Sequence, residues 1–466
     1  MNAESFLRRK YILTDVLSTS IVYIGYNGIR NELEHGVGLL SWDYLLSIKS
    51  IAVYLAFVGF WIGFFALSGY YNKPKNKSRL VEFSSSIISI FLGSVITFLL
   101  WVVDDILHNT SLYLPLFLYL TGMMLAIVYP PRLILTTLLI RKDRREGVKS
   151  KVLLITDREA FDRSRAILQQ MGKEIIEEMC MDLGNTAEER ERELDRQIED
   201  ISYAISVHNP ESLVVSLEGT RPELISLLLY KLYPFKLPIK VPIQSLFFAG
   251  AKVKVTAMTG EPMVDMTETN MAEWEKNVKW LFDKVFSLLL LALTSPLLLY
   301  LSIRVKLSSE GPVIFCQERI GLHGKPFMIY KFRSMYQGAE MDGPKLSSDN
   351  DHRITKLGKR LRKYRLDELP QFWNVLKGDM SFVGPRPERA HYIRLLIQRA
   401  PYYYLLHNVR PGITSWGMVR YGYASNLEEM HERLKYDWLY YENMSLQLDL
   451  AVLVYTLKTL IKGSGK

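Results

Sequence analysis

The sequence predicts a membrane protein in three parts. An α-helical transmembrane bundle covers residues 1–148 and a small parallel α/β module covers 149–257. Past a polar linker at 258–275, an α-rich α+β domain occupies 276–466 and dips into one face of the lipid through a re-entrant helix at about 280–303. Three observations carry this prediction. Long apolar runs fill the first third and return once near residue 285, short apolar strands alternate with helical patterns in the middle, and Lys and Arg gather at the ends of the apolar runs. Hydrophobic residues make up 48% of 466 positions although Lys and Arg number 58, and the net charge is +9. That balance directs a protein toward anionic lipid, phosphorylated molecules or nucleic acid. The two cysteines, Cys180 and Cys316, are far apart and make neither a disulfide framework nor a metal site. The histidines form no pair at ligand spacing, and the first apolar run lacks the cleavage site of a secretory signal.

The bundle is read from apolar stretches at 11–26, 45–70, 81–103 and 112–140. The last three exceed the ~20 residues needed to cross a hydrocarbon core. The first is interrupted by Asp15, which is expected to face the bundle interior. Pro130-Pro131 is expected to kink or end the fourth helix. Arg8-Arg9-Lys10 precedes the first stretch, Lys73, Lys75, Lys77 and Arg79 separate the second from the third, and Arg141, Lys142, Arg144 and Arg145 follow the fourth. The other two loops carry Glu32, Glu34, Asp104 and Asp105, so the positive-inside rule places both ends of the bundle in the cytoplasm.

From about residue 149 the pattern alternates. Strands are expected at 151–155, 212–217 and 239–243, with helices at 158–170, 186–207 and 222–232. This is a Rossmann-like order, yet the first strand runs into Thr156-Asp157-Arg158-Glu159 and not into a glycine-rich turn. The dinucleotide fingerprint is missing, and the module is expected to serve a structural, regulatory or oligomeric role. Thr259-Gly260-Glu261-Pro262 marks the linker as turn chemistry.

The apolar run at 285–303 contains Ser295-Pro296 near its middle. Lys279 and Lys284 precede it, and Arg304 and Lys306 follow. Both flanks are therefore drawn to the cytoplasmic face, which a hairpin satisfies and a single crossing does not. Proline removes one helix hydrogen bond, and a neighbouring serine can satisfy the freed group. The competing reading is a kinked fifth span.

Beyond it, 306–315 reads as extended and 327–332 as its hairpin partner across Gly321-Leu322-His323-Gly324. Helices are expected at 360–376, 388–399 and 427–441, and an amphipathic surface helix at 446–461 anchored by Lys458, Lys462 and Lys466. Within the first of these helical patterns lies Leu366-Asp367-Glu368-Leu369-Pro370-Gln371. Acids before a proline are at home at a helix start, so a capped surface turn is the ordinary explanation. Here, however, Arg353, Lys356, Lys359, Arg360, Arg362, Lys363 and Arg365 crowd in from one side and Arg386 and Arg389 from the other. Two acids in a cationic field suit phosphoryl chemistry with a metal: one attacks or takes a proton, the other holds Mg²⁺. Arg362 and Arg386 are candidates for bidentate phosphate contacts, with Lys331, Arg333 and Arg353 behind them.

The motifs Gly311-Pro312-Val313-Ile314-Phe315-Cys316-Gln317-Glu318-Arg319-Ile320-Gly321, Lys331-Phe332-Arg333-Ser334-Met335, Arg353-Ile354-Thr355, Asp367-Glu368-Leu369-Pro370-Gln371, Gly378-Asp379-Met380-Ser381, Gly384-Pro385-Arg386-Pro387-Glu388 and Val409-Arg410-Pro411-Gly412-Ile413-Thr414 occur in this order. In order and spacing they resemble the bacterial sugar transferase family, whose members are monotopic polyprenol-phosphate phosphoglycosyl transferases. The whole chain resembles the family's large form. The resemblance implies transfer of a sugar-1-phosphate from a UDP-sugar to undecaprenyl phosphate with release of UMP. It implies Asp367 as the nucleophile of a covalent intermediate, Glu368 as a ligand of Mg²⁺, and Asp283 and Lys284 as helpers at the active-site base. Ser295-Pro296 matches the family's helix-breaking pair. It further implies initiation of exopolysaccharide, capsule or O-antigen synthesis at the bacterial inner membrane, with the catalytic domain on the cytoplasmic face and a homodimer possible. Two departures stand out: Lys279-Trp280 where many relatives have Lys-Arg, and Ser415-Trp416-Gly417-Met418-Val419-Arg420-Tyr421-Gly422 in place of a common Trp-containing motif. The sugar is left open.

Other readings are a nucleotide-sugar dehydratase or sensor built on the α/β module, which the missing glycine turn disfavours, and a non-catalytic scaffold of polysaccharide assembly. Nucleic-acid binding is not expected, because the basic residues cluster at membrane-facing ends and around the two acids.

Overall fold

The computed structural model describes residues 3–35, 48–72, 79–104, 110–145, 150–181, 187–218, 222–242, 263–267, 269–339, 351–422 and 424–461. Lys73, Lys75, Lys77, the turn at 259–262, Lys462 and Lys466 lie outside them. The chain forms two compact units, one of Met1–Val148 with Glu273–Val278, the other of Lys149–Ala272 with Lys279–Lys466.

The first unit is built from α1 (Ala3–His35), α2 (Ile48–Leu67), α3 (Arg79–Asp104) and α4 (Tyr113–Arg145). Its centre is aromatic: Trp61 is fully buried, Tyr26 stacks on Trp101 at 4.5 Å, and Phe57 stacks on the same ring at 5.6 Å. Gly93 lets α3 come close, since a Cβ there would fall 2.5 Å from the Trp61 ring. Asp15 does face the interior. Arg132 Nε and Nη2 donate to its two carboxylate oxygens at 2.6 and 2.7 Å, and the Tyr71 hydroxyl donates at 2.7 Å. The guanidinium lies 3.7 Å from the Tyr70 ring centre and 3.9 Å from that of Phe65. With its polar residues turned inward, α1 exposes Leu13, Leu17, Ile21 and Ile24 along one outer stripe. Its polar content keeps α1 outside the set of helices long and apolar enough to cross a membrane. Among the described residues that set is α2, most of α3, most of α4, and the helix at Glu273–Ser308. Pro130-Pro131 does not end the fourth helix, which continues to Arg145. Transmembrane helices tolerate such breakers where neighbours satisfy the freed backbone.

The second unit opens with a sheet ordered β2-β1-β3-β4-β5: β1 (Lys151–Thr156), β2 (Glu174–Cys180), β3 (Ser212–Ser216), β4 (Ile239–Pro242) and β5 (Met263–Asp265). The first four are parallel and β5 is antiparallel to β4. Around them run α5 (Phe161–Gln170), α6 (Ala187–His208) and α7 (Pro222–Leu232). Two strands depart from expectation. Strand β2 is an edge strand carrying Glu174, Glu177 and Glu178, and that acidity hides it from a search for apolar alternation. Strand β5 lies within the stretch read as linker and buries all three of its residues.

The remainder comprises α8 (Glu273–Ser308), a hairpin of β6 (Ile314–Ile320) and β7 (Pro326–Phe332), α9 (Lys356–Lys363), α10 (Gln371–Lys377), β8 (Ser381–Val383), α11 (Ala390–Arg399), β9 (Gly412–Thr414), α12 (Trp416–Arg420), α13 (Leu427–Glu442) and α14 (Leu446–Ile461). The expected extended stretch at 306–315 begins late because α8 runs on to Ser308. The parallel pair β8–β9 depends on two glycines, since a Cβ on Gly412 would lie 2.2 Å from the Gly384 nitrogen. One face of the α/β sheet has a small core of its own, built from Val152, Leu154, Leu168, Val214 and Met263, while the other face merges with this domain. Leu228, Leu229 and Leu232 of α7 and the Tyr233 that follows it join one apolar cluster with Tyr404, Leu406 and Val409. Asn408 Nδ2 donates to the Met266 carbonyl (2.6 Å) and the Tyr441 hydroxyl (2.9 Å).

Helix α8 is one helix with Pro296 inside it. Proline leaves the Ala292 carbonyl without its usual donor, and Ser295 Oγ donates to that carbonyl at 2.8 Å. The middle of the helix is bare, with Leu293 78% exposed, while the two ends of its apolar run are held by the second unit. On one side, Lys279 Nζ reaches the Val383 carbonyl (2.9 Å) and Asp449 (2.6 Å), and Asp283 accepts the Phe382 N–H (3.1 Å). On the other, Arg333 Nη2 donates to the carbonyls of Val305 (3.0 Å) and Ser309 (2.5 Å), and Leu301 and Val305 pack with Phe332 and Leu361.

The Asp15–Arg132 pair yields the first prediction. Removing one partner of a buried ion pair costs about 3–5 kcal/mol, whereas replacing both with apolar groups costs far less. Asp15→Asn and Arg132→Met should each lower the thermal midpoint of the full chain in detergent, and the double variant should recover much of the loss.

Candidate active site

Strand β7 brings Lys331 to the site, and α10 is clipped to that strand by one side chain. Asn374 Oδ1 accepts the Tyr330 N–H (3.1 Å) and its Nδ2 donates to the Met328 carbonyl (2.7 Å). Helix α9 starts at Thr355, whose hydroxyl accepts the Gly358 N–H (2.9 Å). It packs so closely that a Cβ on Gly358 would sit 2.0 Å from the Ser334 carbonyl oxygen. A single helix over 360–376 does not form. Arg365 turns left-handed (φ 52°), Leu366–Glu368 make one tight 3₁₀ turn, and α10 begins only after Pro370. A non-glycine residue pays sterically for that backbone, and such strain is favoured where it positions function. Leu366 and Leu369 pack beside Leu301, Val305, Phe332 and Leu361. That packing fixes the turn, with Asp367 and Glu368 both buried at 7% exposure.

The two carboxyl groups differ. Glu368 Oε1 accepts from Lys331 Nζ (2.9 Å) and Oε2 from Arg365 Nη1 (3.3 Å). Burial opposes its charge, but Lys331, Arg365 and Arg386 outweigh burial and hold it down at about 2. Among the described residues no other side chain donates a hydrogen bond to Asp367. Burial first, and then the neighbouring Glu368 charge, push its carboxyl above the usual aspartate range, against the pull of Lys331 and Arg362. One acid is a fixed anion and the other is uncommitted.

The sequence-predicted cations divide. Lys331 is at the dyad. Arg362 acts on Asp367 electrostatically while its Nε donates to Ser334 Oγ (2.9 Å). Arg386 contributes to the field on Glu368, lies 3.8 Å from Glu388 and contacts Met418 Sδ at 3.1 Å. Arg333 is directed to the carbonyls at the end of α8 and to that of Pro312. Arg353 forms a two-pronged pair with Asp351 at 2.8 and 2.6 Å. Of the two residues near the start of the apolar run, Asp283 accepts the Phe382 N–H, and Lys284 Nζ contacts the carbonyls of Val375 and Leu376, at the far end of α10 from Asp367. Seven residues of helix place that end ~10 Å away. Lys356, Lys359, Arg360 and Lys363 are exposed.

Residues beyond the expected set complete the frame. Arg365 is legible as one of a basic run, but its pairing depends on the left-handed turn. Glu388 accepts from Arg433 (2.5 Å) and Arg319 (3.3 Å), which anchors the Pro385-Arg386-Pro387 turn. Asp437 accepts the backbone N–H groups of Gly417 (2.9 Å) and Arg386 (3.3 Å), and burial raises its carboxyl.

Among the described residues no cluster of three or more His, Cys, Asp or Glu forms a metal cage. Mg²⁺ commonly takes only one or two protein carboxylates and completes its shell with water and phosphate oxygens. A buried anionic Glu368 beside an uncommitted Asp367 fits that donor set.

Two buried acids in a ring of cations stand beside the end of a helix whose middle is bare and apolar, a setting that suits an anionic ligand. The model of the family described as "Bacterial sugar transferase" matches residues 274–463. The UDP-N-acetylgalactosamine-undecaprenyl-phosphate N-acetylgalactosaminephosphotransferase of Aeromonas hydrophila is 43% identical over 183 residues, covering 39% of this chain and 43% of that protein. The UDP-glucose:undecaprenyl-phosphate glucose-1-phosphate transferase of Escherichia coli (strain K12) is 40% identical over 208 residues, 44% of each chain. An uncharacterized sugar transferase of Bacillus subtilis (strain 168) is 39% identical over 188 residues, which are 40% of this chain and 89% of that one. The chain belongs to the bacterial sugar transferase family. The matches span less than half the length of the first two relatives.

The site makes a pH prediction. A reaction in which Asp367 acts as a carboxylate falls away as pH drops through its raised pKa. Lys331 pulls that pKa down, so Lys331→Met should move the acid limb of kcat/KM to higher pH, as read from a pH–rate profile.

Proposed function

We propose that the protein transfers a sugar-1-phosphate from a UDP-sugar to undecaprenyl phosphate, through a covalent intermediate on Asp367. The observation that carries this reading is the asymmetry of the dyad: Asp367 is buried and uncommitted beside a Glu368 that three cations keep charged. The names of the two transferase relatives support the substrate classes. They name different sugars, so the hexose remains open.

In the first step an Asp367 carboxylate oxygen bonds to the β-phosphorus of the UDP-sugar. The bond from that phosphorus to the bridging oxygen breaks, and UMP leaves with the bridging oxygen and the electron pair. In the second step a phosphate oxygen of undecaprenyl phosphate bonds to the same phosphorus, and Asp367 leaves as a free carboxylate. Arg362 and Arg386 flank the dyad and offset the like-charge repulsion between carboxylate and diphosphate. Lys331 and Arg365 keep Glu368 oriented and ionised. Glu368, with Asp367, would hold Mg²⁺, which when bound neutralises the diphosphate and polarises its P–O bonds.

Helix α8 dips into one leaflet in this reading and returns. Support comes from the two ends of its apolar run: Lys284 and Val305 bracket that run, and both touch the second compact unit. The bare middle, from Leu288 and Leu289 through Leu293 to Leu299, faces lipid. The charge rule then puts the catalytic domain at the cytoplasmic face of the inner membrane, where such a transfer starts exopolysaccharide, capsule or O-antigen chains.

Two experiments test the proposal. With UDP-sugar labelled in the β-phosphate and no lipid acceptor, wild-type protein should release UMP in an amount set by enzyme and carry label on a denaturing gel. Asp367→Asn should carry none while keeping its fold, and label on that variant would sink the covalent aspartate. Single-cysteine labelling at positions 279 and 306, in a background without Cys180 and Cys316, should place both on the cytoplasmic side. Opposite sides would replace the dip with a crossing.

A further inference from the structure

The basic run around the dyad separates by direction. Arg362 and Arg365 turn toward Ser334 and Glu368, whereas Lys356, Lys359, Arg360 and Lys363 are exposed. The exposed four recur at helical spacing on the outer face of α9. The opposite face carries Leu357, Gly358 and Leu361, and α9 contains no acidic residue. Leu357 and Leu361 pack in the same cluster as Leu298, Leu301 and Val305 of α8. Those residues stand at the end of the apolar run, just where Arg304 and Lys306 take over. Exposed Leu299, Tyr300, Ile303 and Leu307 lie on that same stretch. Helix α9 is therefore set at the level where a lipid-embedded α8 leaves hydrocarbon. Tyr364, 50% exposed, closes the helix with the Lys363 ammonium 5.6 Å from its ring centre. Amphipathic aromatic rings favour the headgroup level.

We infer that the outer face of α9, formed by Lys356, Lys359, Arg360 and Lys363, docks on the headgroups of anionic phospholipids. It rests on the lipid-embedded placement of α8 and on nothing about the reaction. The occupant follows from charge complementarity and from continuity with an apolar surface that only lipid covers. A cytoplasmic leaflet rich in anionic lipid attracts such a basic face, and the attraction is screened by salt. The dyad cations stay separate, so headgroups and a diphosphate ligand do not compete for the same side chains.

The test uses the full chain in nanodiscs of phosphatidylcholine alone or mixed with phosphatidylglycerol. Lysines are acetylated with a water-soluble active ester and read by peptide mass spectrometry. Phosphatidylglycerol should slow labelling at Lys356, Lys359 and Lys363 by roughly threefold or more relative to the exposed Lys435, and high salt should abolish the difference. Arg360→Glu should weaken the protection at the three lysines. Equal rates in the two discs would overturn the inference. So would protection that inorganic phosphate or UDP produces in phosphatidylcholine discs, which would assign the face to a soluble phosphate ligand. Failure here with positions 279 and 306 still on one side would remove the lipid docking and leave the placement of α8 intact.

Discussion

The clamp on Glu368 is the interaction on which the part of the structure around the two acids depends. It joins a strand and a turn that sequence separation would otherwise leave independent: Lys331 comes from β7, Arg365 from the residue before the 3₁₀ turn. A buried carboxylate is costly unless it is paired, so its two cations dictate where β7 and the turn must meet. Asn374 then fixes the distance between β7 and α10 through two backbone hydrogen bonds. With Glu368 satisfied, Asp367 is left with burial and a neighbouring negative charge, which the fields of Lys331 and Arg362 offset only in part. Glu368 is held charged by direct ion pairs, and Asp367 by none among the described residues. That difference, and not the presence of two acids, is what distinguishes the turn from a capped surface helix.

The second constraint is the shared core. Tyr233 and Tyr404 lie 5.7 Å apart, one from the α/β module and one from the segment the family model matches. The Bacillus relative is matched over 89% of its length by 188 residues of this chain, which leaves it little room for such a module. In the present chain α7 covers the surface around Tyr404, and separating the two would expose Leu228, Leu229, Leu232 and Tyr233 to water. Fully burying each such side chain is worth about 1.5–3 kcal/mol. The module is thus a structural part of the unit that holds the dyad, whatever else it binds.

Much of this was legible in the sequence, and the failures have physical causes. The apolar helices, the parallel strands β1, β3 and β4, the β6–β7 hairpin and the inward-facing Asp15 follow from periodicity, charge placement and turn residues. The partner Arg132 was not legible, because a charged residue after Pro130-Pro131 looks like the end of a span until Asp15 is found opposite it. Strand β2 was hidden by its glutamates, and β5 by its brevity. At the site, the adjacent acids and their basic setting were readable from residue type, whereas Lys331, expected to meet phosphate, is found paired with Glu368. The roles of Arg333 and Arg353 were not, because composition says nothing of direction: one guanidinium ends on helix carbonyls and the other on Asp351. The same blindness applies to Lys284, whose ammonium ends on carbonyls at the C-terminal end of α10.

Direction also explains how an apolar helix is tied to a polar site. Charges near lipid are handled here in two ways. Asp15 and Arg132 neutralise one another inside the bundle. Arg333 and Lys284 instead meet backbone carbonyls at helix ends, where the partial negative charge of unsatisfied groups accumulates. Arg333 holds the C-terminal end of α8, and Lys284, itself on α8, holds the C-terminal end of α10. The first contact fixes where the apolar helix stops, and the second fixes α10, and so the turn ahead of it, against the same helix. Together they set the height of Asp367 relative to the apolar run. In the proposed reaction the carboxylate meets both a water-soluble diphosphate and a phosphate on a lipid tail, which calls for one level, close to the hydrocarbon boundary but not within it. Two cation-to-carbonyl contacts on one helix are a direct way to hold it there.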